Sequence, residues 1–212
     1  MRFRLNKRRV LLVLASGCLM PVVLLAVAVL TPVLMYYSIV RHEPGGLYTE
    51  ISPGLRGGDL NVFAGTGGWF YLAGYDTPAA CAPFGMVRLG PDTASMLIRR
   101  QALNPSGYYY GDNAIVGFSH TRLVGADAEE GGHFRVFPGV GGAARVREQA
   151  RAGARFSHAE ETGFPGYYAV RLPGDDVLAE LTVTQRAGVH RYTFPGGGRP
   201  HLYVDVTSTL GE

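Results

Sequence analysis

Between Val10 and Val40 the chain carries no charged side chain, a run of thirty-one residues, and no other feature limits its fold so strongly. As a helix the run would reach about 46 Å at about 1.5 Å per residue, longer than the roughly 20 residues that cross a bilayer. Tilt or a shorter helical core is therefore expected. Pro21 and Pro32 are placed to kink it or mark its ends, and Tyr36 and Tyr37 suit the headgroup level near its far end. Arg2, Arg4, Lys7, Arg8 and Arg9 precede the run, and a single Arg41 comes directly after it, which puts the amino terminus in the cytoplasm. The competing reading is a cleaved signal peptide, for which Ala26-Val27-Ala28 offers a small-residue site. A signal core, however, spans only about 7–15 residues. The expectation is an uncleaved membrane anchor with the globular part outside the cytoplasm. The alternative is a chain secreted after cleavage.

The basic tail also hides the charge of the rest of the chain. The formal +3 includes its five cations; the other fifteen arginines face all seventeen acids, so the exported part is close to −2. That balance argues against a nucleic-acid surface, which needs a basic face. Cys18 lies in the apolar run and Cys81 beyond it, so no disulfide joins them if the first is in lipid, and no zinc spacing exists.

The chain divides into four segments: a basic tail over 1–9, the anchor over 10–40, a Pro- and Gly-rich linker over 41–58 and a β domain over 59–212. Past Gly58 no long helical period appears. Short candidate strands cover Met86–Leu89, Ala114–Phe118, Phe134–Phe137, Tyr167–Leu172, Leu178–Thr184, Val189–Phe194 and Leu202–Val206. Tyr168, Val170 and Leu172 alternate with Tyr167, Ala169 and Arg171. Ala179, Leu181 and Val183 alternate with Glu180, Thr182 and Thr184, and Leu202, Val204 and Val206 with His201, Tyr203 and Asp205. A period of two marks antiparallel strands with one face in the core and one wet. Turn signals such as Pro173-Gly174-Asp175-Asp176 and Pro195-Gly196-Gly197-Gly198 separate them at about ten-residue intervals, the spacing of a sandwich or barrel. Gly142–Arg151 is the one arguable helix and is expected to be irregular.

Strand Ala114–Phe118 delivers Ser119, His120, Thr121 and Arg122 to a loop between two glycines, where a rigid scaffold commonly holds binding groups. Ser119 and His120 are unsuited to act as nucleophile and base, because strand neighbours point to opposite faces and no Gly-x-Ser-x-Gly elbow is present. Gly65-Thr66-Gly67-Gly68 lacks the Lys-Ser/Thr of a phosphate loop and reads as a tight turn. Trp69-Phe70-Tyr71 comes next, three aromatics placed either to stack on a ligand or to plug one end of the sandwich. Asp127, Glu129 and Glu130 have neither EF-hand spacing nor the opposed placement that glycoside hydrolysis requires. His133, His158, His190 and His201 stand singly.

These blocks resemble a known family. Asn61-Val62-Phe63-Ala64-Gly65-Thr66-Gly67-Gly68 is similar to the opening Asn-Pro-Phe-Ile-Gly-Thr-Gly-Gly of glycoside hydrolase family 92, the exo-acting α-mannosidases. Ala82-Pro83-Phe84-Gly85-Met86-Val87-Arg88-Leu89-Gly90-Pro91-Asp92-Thr93 resembles its Val-Pro-Phe-Gly-Met-Val-Gln-Leu-Ser-Pro-Asp-Thr. Ser106-Gly107-Tyr108 and Gly117-Phe118-Ser119-His120-Thr121-Arg122-Leu123 resemble its Ser-Gly-Tyr and Gly-Phe-Ser-His-Thr-His-Leu, with Arg122 in place of the second His. Pro165-Gly166-Tyr167-Tyr168 and Ala179-Glu180-Leu181-Thr182 through His190-Arg191-Tyr192-Thr193-Phe194-Pro195 also match in order.

The resemblance implies an all-β, antiparallel β-sandwich of the galactose-mutarotase-like type, preceded here by one transmembrane helix. It implies partnership with an (α/α)₆ barrel, and inverting, calcium-dependent hydrolysis whose acid, base and calcium ligands come from that barrel. Glu212 falls before such a barrel would begin. Within this chain the expectation is therefore no catalytic residue, no metal ligand and no cofactor, with calcium belonging to the catalytic domain. Ser119, His120 and Arg122, with Trp69 and Phe84 nearby, are expected to meet mannose-containing glycans. The alternative is a stand-alone, non-catalytic glycan-binding surface module.

Overall fold

The computed structural model describes residues 7–40, 60–68, 76–94, 106–122 and 131–208, with side chains of the first helix described from Met20 to Ile39. The linker, Trp69-Phe70-Tyr71 and the acidic group Asp127, Glu129 and Glu130 lie outside the described residues. Helix α1 (Lys7–Val40) runs through both prolines, and its Met20–Ile39 stretch, mean hydropathy 2.2, is long and apolar enough to cross a bilayer.

Among the described residues the chain then forms ten strands: β1 (Ala80–Cys81), β2 (Arg88–Ala94), β3 (Ala114–Ser119), β4 (Arg135–Val140), β5 (Ala154–Arg155), β6 (Glu161–Phe164), β7 (Tyr167–Leu172), β8 (Val177–Val183), β9 (Gly188–Thr193) and β10 (Pro200–Asp205). They form two antiparallel sheets, one ordered β1-β2-β3-β4-β10 with β5 on β3, the other β6-β7-β8-β9. Leu89, Ile115, Phe118 and Phe137 of the first sheet and Tyr168, Val170, Leu172 and Leu181 of the second meet in one core. β3 is buried at every position because strands flank it and side chains cover both its faces.

Two expectations are corrected. Gly142–Arg151 is not irregular: Ala143–Ala152 forms a regular helix, α2. Its amino terminus has no side-chain cap, yet Val146 and Ala150, four apart on one face, are buried in the core. Arg145 also pairs with Asp175 at 2.7 Å, and Asp175 accepts from Val140 N. Nine of its ten residues are Ala, Arg, Glu or Gln, strong helix formers, so local propensity and core packing agree here. The second correction concerns polarity. On β10 the apolar set Leu202 and Val204 faces outward, while His201, Tyr203 and Asp205 turn inward and Tyr203 packs on the core.

Candidate functional site at the Ser119 end of β3

Asp92 organises this end of the sandwich. It is fully buried on β2, and a carboxylate removed from water needs donors from every direction. Ser119 donates to Oδ1 at 2.8 Å, Arg122 Nε to Oδ1 at 3.1 Å and Arg122 Nη2 to Oδ2 at 2.7 Å. The remaining guanidinium donors reach Gly131 O at 2.7 Å and Ser208 Oγ at 3.1 Å. Gly132, at φ +72°, lies against this guanidinium so closely that a Cβ there would stand 2.2 Å from Cζ. The structure thus brings Ser119 and Arg122 together, but on an internal carboxylate with their donors taken up.

His120 leaves the strand in the other direction. Its carbonyl accepts from Arg88 N at 2.8 Å, and its ring stacks on Phe134 with centroids 4.3 Å apart. Nε2 shares a hydrogen bond of 2.8 Å with His190 Nε2, and His190 Nδ1 shares one of 2.7 Å with Tyr192 OH. The relay Tyr192–His190–His120 therefore ties β9 of one sheet to the end of β3 in the other. Burial lowers the His190 pKa to about 4, with His120 adding to the effect. Burial lowers His120 too, against an opposing pull from Asp92. Both imidazoles are neutral at neutral pH, each able to donate from one nitrogen and accept at the other. His120 Nδ1 is buried with no hydrogen-bond partner among the described residues.

Phe84 lies on the adjoining turn. Gly85 N donates to Ala82 O at 2.9 Å, closing a turn with Pro83 second and Phe84 third, and Met86 N donates to Gln185 O at 2.8 Å. Phe84 sits at φ +56° with its ring wholly exposed, and Met86 is exposed beside it. A bulky residue in the left-handed region costs about 1–2 kcal/mol, so the ring is held outward against its own preference. Trp69, the remaining expected site residue, lies outside the described residues. The crevice beneath Arg88, Pro91, Ser106 and Ser119 has no room for a ligand. Among the described residues no three His, Cys, Asp or Glu side chains converge as metal ligands do.

Sequence reasoning did not single out Asp92, Phe134, His190 or Tyr192. His190 stands alone in the sequence because its partner is seventy residues away, and only the packing of one sheet on the other brings the two together.

Two packed antiparallel sheets with polar and aromatic side chains gathered at one end define a β-sandwich module. Residues 60–212 match the model of the glycosyl hydrolase family 92 N-terminal domain, and the chain belongs to that family. It is similar to a family 92 α-mannosidase of Bacteroides thetaiotaomicron, at 35% identity and a TM-score of 0.61, over 71% of this chain and 20% of that one. A second solved family 92 glycosyl hydrolase matches at 33% identity and a TM-score of 0.56, over 71% and 20% of the two chains. A protein of Arthroderma benhamiae named as a secreted glycosidase is 25% identical over 150 residues, 63% of this chain and 18% of that one. The chain spans about a fifth of the length of these relatives.

Proposed function

We propose that this chain is the carbohydrate-binding, scaffold-forming amino-terminal part of a membrane-anchored α-mannosidase-like hydrolase. Its β-sandwich lines the rim of a glycan site shared with a catalytic domain. The observation that carries this reading is the outward-held Phe84 at the same end of the sandwich as the neutral His120–His190 pair. The ring offers a face for a sugar's apolar side, and His120 Nδ1 is the one imidazole nitrogen of the pair left without a partner among the described residues. Ser119 and Arg122 serve the rim by bonding Asp92 and fixing the loop from which His120 projects. The general acid, the general base and calcium belong to the catalytic part, on which the exposed row Leu202, Val204 and Val206 packs. Helix α1 is the anchor, with the basic residues of 1–9 on the cytoplasmic side.

The test is titration of the purified chain with methyl α-mannoside and α-mannobiose, monitored by NMR shifts of the His120 and Phe84 rings. Weak binding, on the order of millimolar, that is lost in Phe84→Ala is expected, since a half-site recovers little of the cost of association. Binding unaltered by Phe84→Ala and His120→Ala would remove this surface from the proposal. Calcium-dependent release of mannose by this chain alone would overturn the assignment of the catalytic groups to another domain.

A further inference from the structure

The apolar run is about ten residues longer than a bilayer needs, so it can cross one and still leave its last two turns, where α1 meets the sandwich, outside. Ala28, Pro32, Met35 and Ile39, spaced along one helical face, are the residues of Met20–Ile39 that are not exposed. Ile39 is buried to 6% exposure and belongs to the same core cluster as Phe63, Tyr108 and Tyr110. Asn61 Nδ2 donates to Ile39 O at 2.9 Å, satisfying a carbonyl that the end of the helix leaves open. Tyr109 OH, which donates to Gly68 O at 2.7 Å, lies 3.4 Å from Met35 Sδ, and Ser38 Oγ lies 3.4 Å from Tyr110 OH.

The sandwich side is shaped for this contact. A Cβ on Gly67 would stand 2.7 Å from Ile39 Cδ1 and 3.2 Å from Met35 Sδ, and one on Gly111 would stand 2.9 Å from Met35 Cε. Helix and sandwich approach there as closely as backbone allows. The exposed sides of the same turns carry Tyr36 and Tyr37, edge to face at 6.0 Å, as aromatic residues at headgroup level would be.

We propose that α1 is divided between two environments. Its earlier turns cross the bilayer, and its last two turns are a core element of the sandwich, seating that domain directly on the lipid surface. The docking residues Tyr109, Tyr110 and Gly111 precede the Ala114 end of β3. Phe84 and His120 belong to the Ser119 end, roughly 17 Å further along at about 3.3 Å per residue. The seat therefore turns the glycan-binding end away from the membrane, toward soluble or cell-surface glycans. This inference rests on the anchor part of the proposed function.

The test uses the full chain in membrane vesicles, with Cys18 and Cys81 replaced by Ala, and a short bismaleimide. Ser38→Cys is paired with Ala159→Cys, beside the docking surface, or with Arg186→Cys, on the β8–β9 loop at the other end. Docking predicts about tenfold more cross-linking for the first pair, because effective concentration falls steeply with span. It also predicts loss of that preference in Gly67→Leu, whose far-ultraviolet spectrum confirms a folded sandwich. Equal yields in a chain whose intact mass retains α1 would overturn the docking and leave the anchor standing. An exported chain whose mass begins after α1 would overturn both.

Discussion

His120 Nε2 and His190 Nε2 lie 2.8 Å apart and join the two sheets at the end that carries the exposed Phe84. A histidine whose folded pKa is depressed stays neutral in the fold and takes up a proton on unfolding. Its contribution is complete above the unfolded value of about 6.5 and is lost as pH falls toward the folded value, about 4 for His190. Thermal melts at about pH 7 and pH 5 will show a lower midpoint at the acid end. In His190→Phe, which keeps a ring but no titrating group, that gap narrows. An unchanged gap in the variant would place the acid sensitivity elsewhere.

His158 works in the opposite direction. Its Nδ1 lies 2.6 Å from Glu161 Oε2 and its Nε2 2.7 Å from Tyr110 O, two acceptors that require both nitrogens to carry hydrogen. Burial alone would lower its pKa, but the hydrogen bond and charge of Glu161, with the Tyr110 carbonyl, raise it above the ordinary value. Tyr108 and Tyr168 donate to the same buried carboxylate at 3.1 and 2.7 Å. Stability from this pair is fully present below about pH 6.5 and is lost as pH rises through the folded value. An NMR titration should place the His158 midpoint above that of an unfolded fragment. His158→Ala deprives the buried Glu161 of its cationic partner, at about 3 kcal/mol in urea denaturation.

Arg122→Ala removes two of the donors that compensate Asp92, which is wholly buried. The expected loss is about 3–5 kcal/mol, the range for breaking a buried pair by one partner. Asp92→Asn in the Arg122→Ala background should recover part of it, because the charge left behind is gone. Urea unfolding of the two single variants and the double variant measures the coupling. Strictly additive losses would show that the two side chains do not act as a pair.

Phe84→Gly separates folding from binding. Glycine takes the left-handed conformation without strain but loses more chain entropy on folding, so the net gain is about 0.5–1 kcal/mol. The melting midpoint should rise by roughly 1–4 °C while mannoside binding falls. A drop in midpoint would mean that the ring contributes to the fold rather than to a ligand.

Exposed Leu202 and Val204 predict that the isolated chain self-associates. Leu202→Lys with Val204→Lys should raise the monomer fraction in analytical ultracentrifugation without lowering the melting midpoint. A collapse of stability would show that this face is needed internally.

Much of the fold is legible in residue order. Tyr167–Leu172 reads as a strand and is one with the same bounds, because Tyr168, Val170 and Leu172 alternate into the core and Pro173-Gly174 ends the run. The two-residue β1 and β5 are not legible, since a strand that short exists only through its partner. On β9 and β10 the alternation is visible but its sense is not. Tyr192 and Tyr203 face the core and Val189 and Val204 face out, because the rings fill space near Phe118 and Phe137. For the candidate site, Ser119, His120, Arg122 and Phe84 stand out from their immediate sequence neighbours. Their separation into an inward pair on Asp92 and an outward pair at the rim is not visible there.

Sequence by itself determined the apolar helix, the antiparallel β class and the family, because period, charge and motif order are properties of neighbours along the chain. Tertiary structure alone decided that His120 meets His190, that Arg122 turns onto Asp92 and that Ile39 leaves the apolar run to join the core. Each of those contacts joins residues far apart in the chain, and the energy of bringing them together resides in packing and desolvation that no single segment possesses.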